Sequence, residues 1–357
     1  MQSVRYKRTE WNTIRVIKRK LVNFRSGYDV CPTVLDIHPV KNTCNLDCQW
    51  CIGRNSIETA EFMKWEKLKQ VFDRIFIPEQ KMHWPSEVHY CGHNSEPLLN
   101  HDLVINSMKY LKSKDVILSI ITNGICLEKY LEKGNEIYLV DKLSVSLDVV
   151  NDAHFKEFKK PKADTSIDSI LKSIETINRN KDKHNPGLTT FVTFVATPGT
   201  YAKQEWADFF VRLKDIGVNH VRVRNDYTCF DKDFYNDVKN DIQQIAKEMD
   251  ADCISYSRNP PFDLEYKEFW PRNEKCRHCF GLRLWCTISA DFRLYSCAHV
   301  ASQLYKPLVD LNENNDWYDI YLERNNDDFE RKPVELCDGH CPSTMYYLNH
   351  AEVLDGV

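Results

Sequence analysis

The chain has 357 residues, 42% hydrophobic and 28% charged, which excludes a disordered polymer and suits one large domain with a smaller companion. A formal net charge of −4 excludes the basic excess of a nucleic-acid-binding surface, and no apolar run nears the ~18 residues of a membrane span. Met1–Lys20 has no continuous apolar core, so a cytoplasmic protein is expected, its 14 cysteines serving as metal ligands and free thiols rather than disulfides.

Residues 1–32 are basic, with Trp11, Ile14, Ile17, Leu21 and Phe24 at helical spacing. They read as a short helix packed on the main domain, or as a basic arm for an acidic partner or an anionic membrane surface. The segment is too short to be a folded binding domain for a leader peptide. From residue 33 strands and helices alternate. Thr33–His38 is an apolar run, Ala60–Ile75 an amphipathic helix, Glu87–Tyr90 a strand and His101–Lys114 a helix. The β-branched run Val116–Thr122 predicts a strand and Glu128–Lys133 a helix. Lys142–Asp148 and Ser166–Asn180, then Thr189–Ala196 and Tyr201–Ile216, then His220–Asn225 and Phe234–Met249 complete three further strand–helix pairs. Six such units predict a parallel sheet with right-handed crossovers, two units short of an eight-fold barrel.

In such a sheet the chemistry sits at the C-terminal ends of the strands. The first strand leads into Cys44, Cys48 and Cys51, spaced C-x3-C-x2-C, with Trp50 before the last cysteine. A closed zinc site takes four ligands, whereas three thiolates on one tight loop suit three corners of a four-iron, four-sulfur cluster and leave one iron open. Gly92-His93-Asn94-Ser95-Glu96-Pro97 follows the second strand, and Thr122-Asn123-Gly124 ends the third. Ser146 and Asp148 end the fourth. On the sixth, Arg222 and Arg224 share one face with Tyr227 just beyond, a pair suited to a carboxylate, phosphate or polyol, or to structural ion pairs.

The last third holds a second cysteine set: Cys276, Cys279, Cys286, Cys297, Cys337 and Cys341. Four of these in two halves also describe a structural zinc site, and that alternative stays open. Cys31, Cys91, Cys126, Cys229 and Cys253 are scattered and read as buried small hydrophobes.

Together these motifs resemble, in order and over residues 33 to about 345, the radical S-adenosylmethionine (radical SAM) superfamily. The resemblance implies a partial (β/α)6 TIM-like barrel over residues 33–250 and a cysteine-rich domain of the Twitch/SPASM type over 251–357. It implies an S-adenosylmethionine bound to a [4Fe-4S] cluster held by Cys44, Cys48 and Cys51. Trp50 would lie near the adenine and Glu96 at the methionine amino group. Thr122 and Asn123 would belong to the same cofactor site, with Ser146 and Asp148 at the ribose and the methionine carboxylate. The family often places an arginine opposite that carboxylate. Here the region reads Phe158-Lys159-Lys160-Pro161-Lys162, where a lysine offers a point charge and no fork. Cys279, Cys297, Cys337 and Cys341 would hold one auxiliary [4Fe-4S] cluster, with Phe292 standing where the family's hairpin usually has glycine.

What the resemblance implies for function is hydrogen-atom abstraction from a C–H bond by a 5'-deoxyadenosyl radical, with a flavodoxin or ferredoxin as reductant. A small polar substrate of sugar or aminocyclitol type is expected, with net oxidation and the auxiliary cluster as electron acceptor. The alternatives are a peptide-modifying maturase, an epimerase with Cys286 as hydrogen donor, and a non-catalytic metal-stabilised binding protein. Tyr227 is a further candidate for the catalytic set.

Overall fold

The computed structural model describes residues 31–51, 59–92, 94–226, 231–251, 253–257, 285–296, 307–313 and 317–322. Strand β1 (Val34–Ile37) opens the fold, followed by a small ribbon of β2 (Val40–Lys41) against β3 (Glu61–Phe62). Helix α1 (Trp65–Ile75) leads to β4 (Glu87–Tyr90), and α2 (His101–Lys112) to β5 (Ile117–Thr122). Helix α3 (Leu127–Lys133) precedes β6 (Lys142–Ser146), and α4 (Ile167–His184) precedes β7 (Thr189–Ala196). Helix α5 (Lys203–Asp215), β8 (His220–Asn225) and α6 (Lys232–Glu248) complete six strand–helix units. Strands β9 (Ile254–Ser257), β10 (Trp285–Ile288), β11 (Arg293–Tyr295) and β12 (Val309–Asp310) follow, then the short helix α7 (Trp317–Leu322).

These strands form one sheet in the order β12-β11-β10-β1-β4-β5-β6-β7-β8-β9. From β10 to β9 every pairing is parallel, while β11 and β12 are antiparallel additions. This is the α/β partial barrel the alternating pattern predicts. Strand β9 joins this sheet at one flank, and β10, β11 and β12 join it at the other. Phe292, in the β10–β11 turn, takes a positive φ of 61° and donates its N–H to Ser289 O at 2.9 Å. That is the left-handed conformation a glycine adopts at least cost.

One helix is shorter than its pattern. Ala60–Ile75 was expected to be helical throughout, but Glu61–Phe62 pairs with Val40–Lys41 and Met63 N–H donates to Pro39 O at 2.9 Å. The helix therefore starts after Lys64, which is extended at φ −98°, ψ 135°. Local apolar spacing gave way to a backbone ladder supplied by residues twenty positions upstream.

Strand alternation separates the two sheet faces. Leu35, Val88 and Leu118 form one row across β1, β4 and β5, continued by Cys286 on β10, and all four are fully buried in the core shared with the helices. The next row is Thr287, Asp36, His89, Ser119 and Lys142, which faces the barrel interior. None of the described helices is long and apolar enough to cross a membrane.

Candidate active site

The cysteine loop leaves the end of the β1–β2 segment and is held by backbone bonds to a distant stretch. Asp47 N–H donates to Lys159 O at 3.0 Å, Gln49 N–H to Phe158 O at 2.9 Å, and Lys162 N–H to Asn45 O at 3.0 Å. The clamping stretch is a π-turn, Phe155–Lys159, ended by Lys160 in the left-handed conformation at φ 46°. Trp50 stacks on Phe158 with ring centroids 6.2 Å apart. Cys44, Cys48 and Cys51 are half-buried cysteines on this loop.

Burial pushes the Cys44 thiol up to about 11 and the Cys48 thiol up to about 12, with Cys51 and further anions adding to it. Lys159 works against that shift at both sulfurs. Three cysteines on one loop, with a fixed cation beside them, fit an iron–sulfur cluster bound as thiolates. Asn123 Nδ2 donates to Cys44 Sγ at 3.6 Å and to Asn45 Oδ1 at 2.6 Å, which fixes the loop against the end of β5.

Glu96 is buried at the start of a helical turn, Pro97–Leu99. Its carboxylate accepts from Leu98 N–H at 3.1 Å, Thr122 Oγ1–H at 2.6 Å and Asn123 N–H at 2.9 Å. Burial raises its pKa, and these three donors oppose the rise. Glu96 thus braces the Thr122-Asn123-Gly124 turn. Gly124 has φ +88°, and a Cβ there would meet Ile170 at 2.7 Å. Gly92 is required by close approach, since a Cβ would lie 2.2 Å from Ser95 Oγ.

Asp148 follows β6 at a positive φ of 64°. Its Oδ2 accepts from Lys159 Nζ at 2.6 Å, and the same ammonium donates to Ser146 O at 2.6 Å. Lys159 is only 1% exposed, and the Asp148 carboxylate together with Cys48 holds its pKa above the ordinary lysine value against desolvation. Sequence reading left the arginine-equivalent contact unassigned. The structure turns Lys159 inward to Asp148, and the only signal was its position about ten residues after β6.

Thr193, on β7, was not singled out from sequence. Its hydroxyl donates to Ser146 Oγ at 3.4 Å and accepts from Arg224 Nη2 at 3.5 Å. Register puts Ser146, Thr193 and Arg222 in one row of the interior face, with Arg224 two residues further along β8. Arg224 Nε is buried without a hydrogen-bond partner.

The structure therefore brings Cys44, Cys48, Cys51, Asn123, Glu96, Thr122, Ser146, Asp148 and Trp50 together around one strand-end region, with Arg224 joined to it through Thr193. Cys286 is not part of this group. It lies opposite Leu35 on the helix-facing side, fully buried in the apolar core, which is the packed alternative to a donor at the barrel mouth. The cause is the register of β10 against β1, which sends Trp285 and Thr287 to the interior instead. Tyr227, Cys276, Cys279, Cys297, Cys337 and Cys341 lie outside the described residues. So do residues 1–30, which hold the expected basic helix, and Cys229.

The sequence model of the radical SAM superfamily matches residues 39–199. A probable GTP 3',8-cyclase of Methanococcus maripaludis is 32% identical over 155 residues, covering 42% of this chain and 46% of the relative. The chain thus spans about half the length of that curated relative. A probable GTP 3',8-cyclase of Methanococcus aeolicus is 25% identical over 265 residues, or 68% of this chain and 78% of the relative. Among solved structures, Streptococcus suis SuiB bound to its precursor peptide SuiA has a TM-score of 0.62 at 13% identity, covering 93% of this chain and 76% of SuiB. At that identity the likeness concerns the fold alone. The likeness to the radical SAM superfamily is carried by residues 39–199.

Proposed function

We propose that the chain is a radical SAM enzyme acting on a small polar substrate, of sugar or aminocyclitol type or bearing a phosphate or carboxylate, with net oxidation as the outcome. The observation that carries this reading is the line Ser146–Thr193–Arg224, which links the strand end assigned to the cofactor with a half-buried cation on the interior face. When bound, the cluster supplies the electron that cleaves S-adenosylmethionine. Cys44, Cys48 and Cys51 hold it, and Lys159 offsets negative charge at the thiolates. Trp50, Glu96, Thr122, Asn123, Ser146 and Asp148 orient the nucleoside and methionine parts. Arg224, with Arg222 beside it on the same face, holds an oxygen-rich substrate group so that one C–H bond faces the cofactor.

Net oxidation leaves one electron to be accepted. The acceptor in this proposal is an auxiliary [4Fe-4S] cluster on Cys279, Cys297, Cys337 and Cys341, and a flavodoxin or ferredoxin is the proposed external reductant. Relatives named for GTP, a phosphate-bearing compound, support an anionic substrate. A peptide substrate is the second reading, favoured by the fold likeness to a protein solved with a precursor peptide.

The test is an anaerobic assay of 5'-deoxyadenosine with the iron-reconstituted chain, run with sugar phosphates, aminocyclitols, nucleoside triphosphates and short peptides. Stimulation by a small polar compound, lost in Arg224→Met with iron content unchanged, supports the first reading. Stimulation by peptides alone favours the second. No S-adenosylmethionine cleavage by the iron-loaded chain under any condition refutes both.

A further inference from the structure

A second group of ligating side chains lies on the interior face, apart from the cysteine loop. Asp36 and His38 stand two residues apart on and just after β1, so they project to the same side. Cys91 directly follows β4, and its N–H donates to Ile37 O at 3.0 Å, which sets it beside His38. One carboxylate oxygen, one imidazole nitrogen and one thiol sulfur from these residues all lie within 4.8 Å of one another, and all three residues are buried.

We propose that Asp36, His38 and Cys91 form a binding site for a divalent transition ion of the zinc class, with a fourth position open to a water or a substrate oxygen. Oxygen, nitrogen and sulfur donors in a set of three are the composition of an open zinc site. Bonds of about 2.0–2.3 Å in a tetrahedron put ligand atoms ~3.4 Å apart, so side-chain rotations of about an ångström close the group on an ion.

A further observation points to a ligand. Thr287, in register with Asp36 on β10, is 0% exposed, and its hydroxyl has no hydrogen-bond partner. A buried polar atom in that state is rare.

A buried network of charged groups borders the site. His89 Nδ1 sits 3.2 Å from Asp36 Oδ1, while its Nε2 is engaged by Glu87 Oε1 at 2.6 Å. Glu87 is also bound by Lys142 at 2.7 Å and by Ser119 at 2.9 Å. Glu87, Asp36, His89 and Lys142 together carry no net charge when all are ionised. Adding a dication and a Cys91 thiolate, the thiol proton leaving to solvent as the metal binds, takes this group from neutral to a single positive charge, which an anionic oxygen at the fourth position would offset.

The interior location sets this group apart from a structural zinc knuckle. The group lies on the sheet face that also carries Arg222 and Arg224. The proposal does not depend on the functional reading above. A chain that fails to cleave S-adenosylmethionine but holds zinc here would leave it standing.

The experiment uses the full-length chain with its iron–sulfur content reconstituted anaerobically. It is then equilibrated with zinc(II), desalted, counted for zinc and iron, and examined at the zinc X-ray absorption edge. The expected result is about one zinc per chain in a mixed shell of one sulfur with nitrogen and oxygen neighbours. In Cys91→Ser the sulfur scatterer disappears, and zinc affinity falls at least about 10–100-fold in both Cys91→Ser and Asp36→Asn, with iron unchanged. Should either variant fail to fold, the wild-type spectrum decides alone. Zinc in an all-sulfur shell, or no zinc retained by the wild-type chain, overturns the proposal, as does a mixed-shell zinc unaffected by a folded Cys91→Ser.

Discussion

Two neighbouring rows of one sheet differ in almost everything but their backbone. The row Cys286, Leu35, Val88, Leu118 is wholly apolar and packed under the helices. One residue along, the row Thr287, Asp36, His89, Ser119, Lys142 is wholly polar, and its first four members are also buried. The first row stabilises by removing carbon from water, at roughly 25 cal/mol per Å². The second must be stabilised by partners, because an unpaired buried polar group costs free energy. Residues on the interior face and at the strand ends therefore act through specific contacts, and residues on the helix face act through volume.

That contrast is open to direct attack. The largest effect is expected at the mouth. Replacing Cys44, Cys48 or Cys51 by Ala should abolish 5'-deoxyadenosine formation and remove about four irons per chain from a total of about eight. Iron counting after anaerobic reconstitution checks this, and full activity in any of the three variants would take the loop out of the chemistry.

Lys159→Met keeps much of the side-chain volume but leaves the buried Asp148 carboxylate without its cation. Loss of one partner of a buried pair costs about 3–5 kcal/mol, so urea unfolding should shift by that amount. Combining it with Asp148→Asn should recover part of the loss. A single variant as stable as the parent would mean that volume, not pairing, governs this position.

Glu96→Gln places an amide donor against the Asn123 N–H that now donates to Oε2, or else against the Leu98 and Thr122 donors. A cost of about 1.5–3 kcal/mol is expected, with weakened binding of S-adenosylmethionine because the Thr122-Asn123-Gly124 turn loses its brace. Calorimetric titration of the reconstituted variant reads the affinity, and an unchanged value would confine Glu96 to a local turn.

The smallest effect is expected on the helix face. Cys286→Ala removes one buried sulfur and should cost about 0.5–1.5 kcal/mol, with S-adenosylmethionine cleavage retained. Turnover in deuterated water, once a substrate is found, provides the sharper test. Solvent deuterium at a product carbon, lost in this variant, would return Cys286 to the chemistry despite its place in the core.

Much of the fold was legible along the chain because strand and helix periods differ, and six alternations leave few arrangements for a parallel sheet. The strands His220–Asn225 and Thr189–Ala196 were readable to the residue, since β-branched and alternating patterns end there at polar turns. The helix over Ala60–Ile75 was misread because a two-residue strand has no period to detect.

The cysteine loop was readable because its three ligands are consecutive in sequence, so no folding is needed to see the spacing. By itself, the sequence determined the six-unit α/β pattern, the three-thiol loop and the identity of the strand ends that surround it. The tertiary structure decided what those residues meet. It turned Lys159 inward to Asp148 across eleven positions, linked Arg224 to Ser146 through Thr193, and sent Cys286 to the apolar face through the pairing of β10 with β1. It also set Asp36 and His38 beside Cys91, more than fifty residues away. Such contacts depend on register and crossover, which bring distant residues within ångströms of each other, and local pattern carries no information about either.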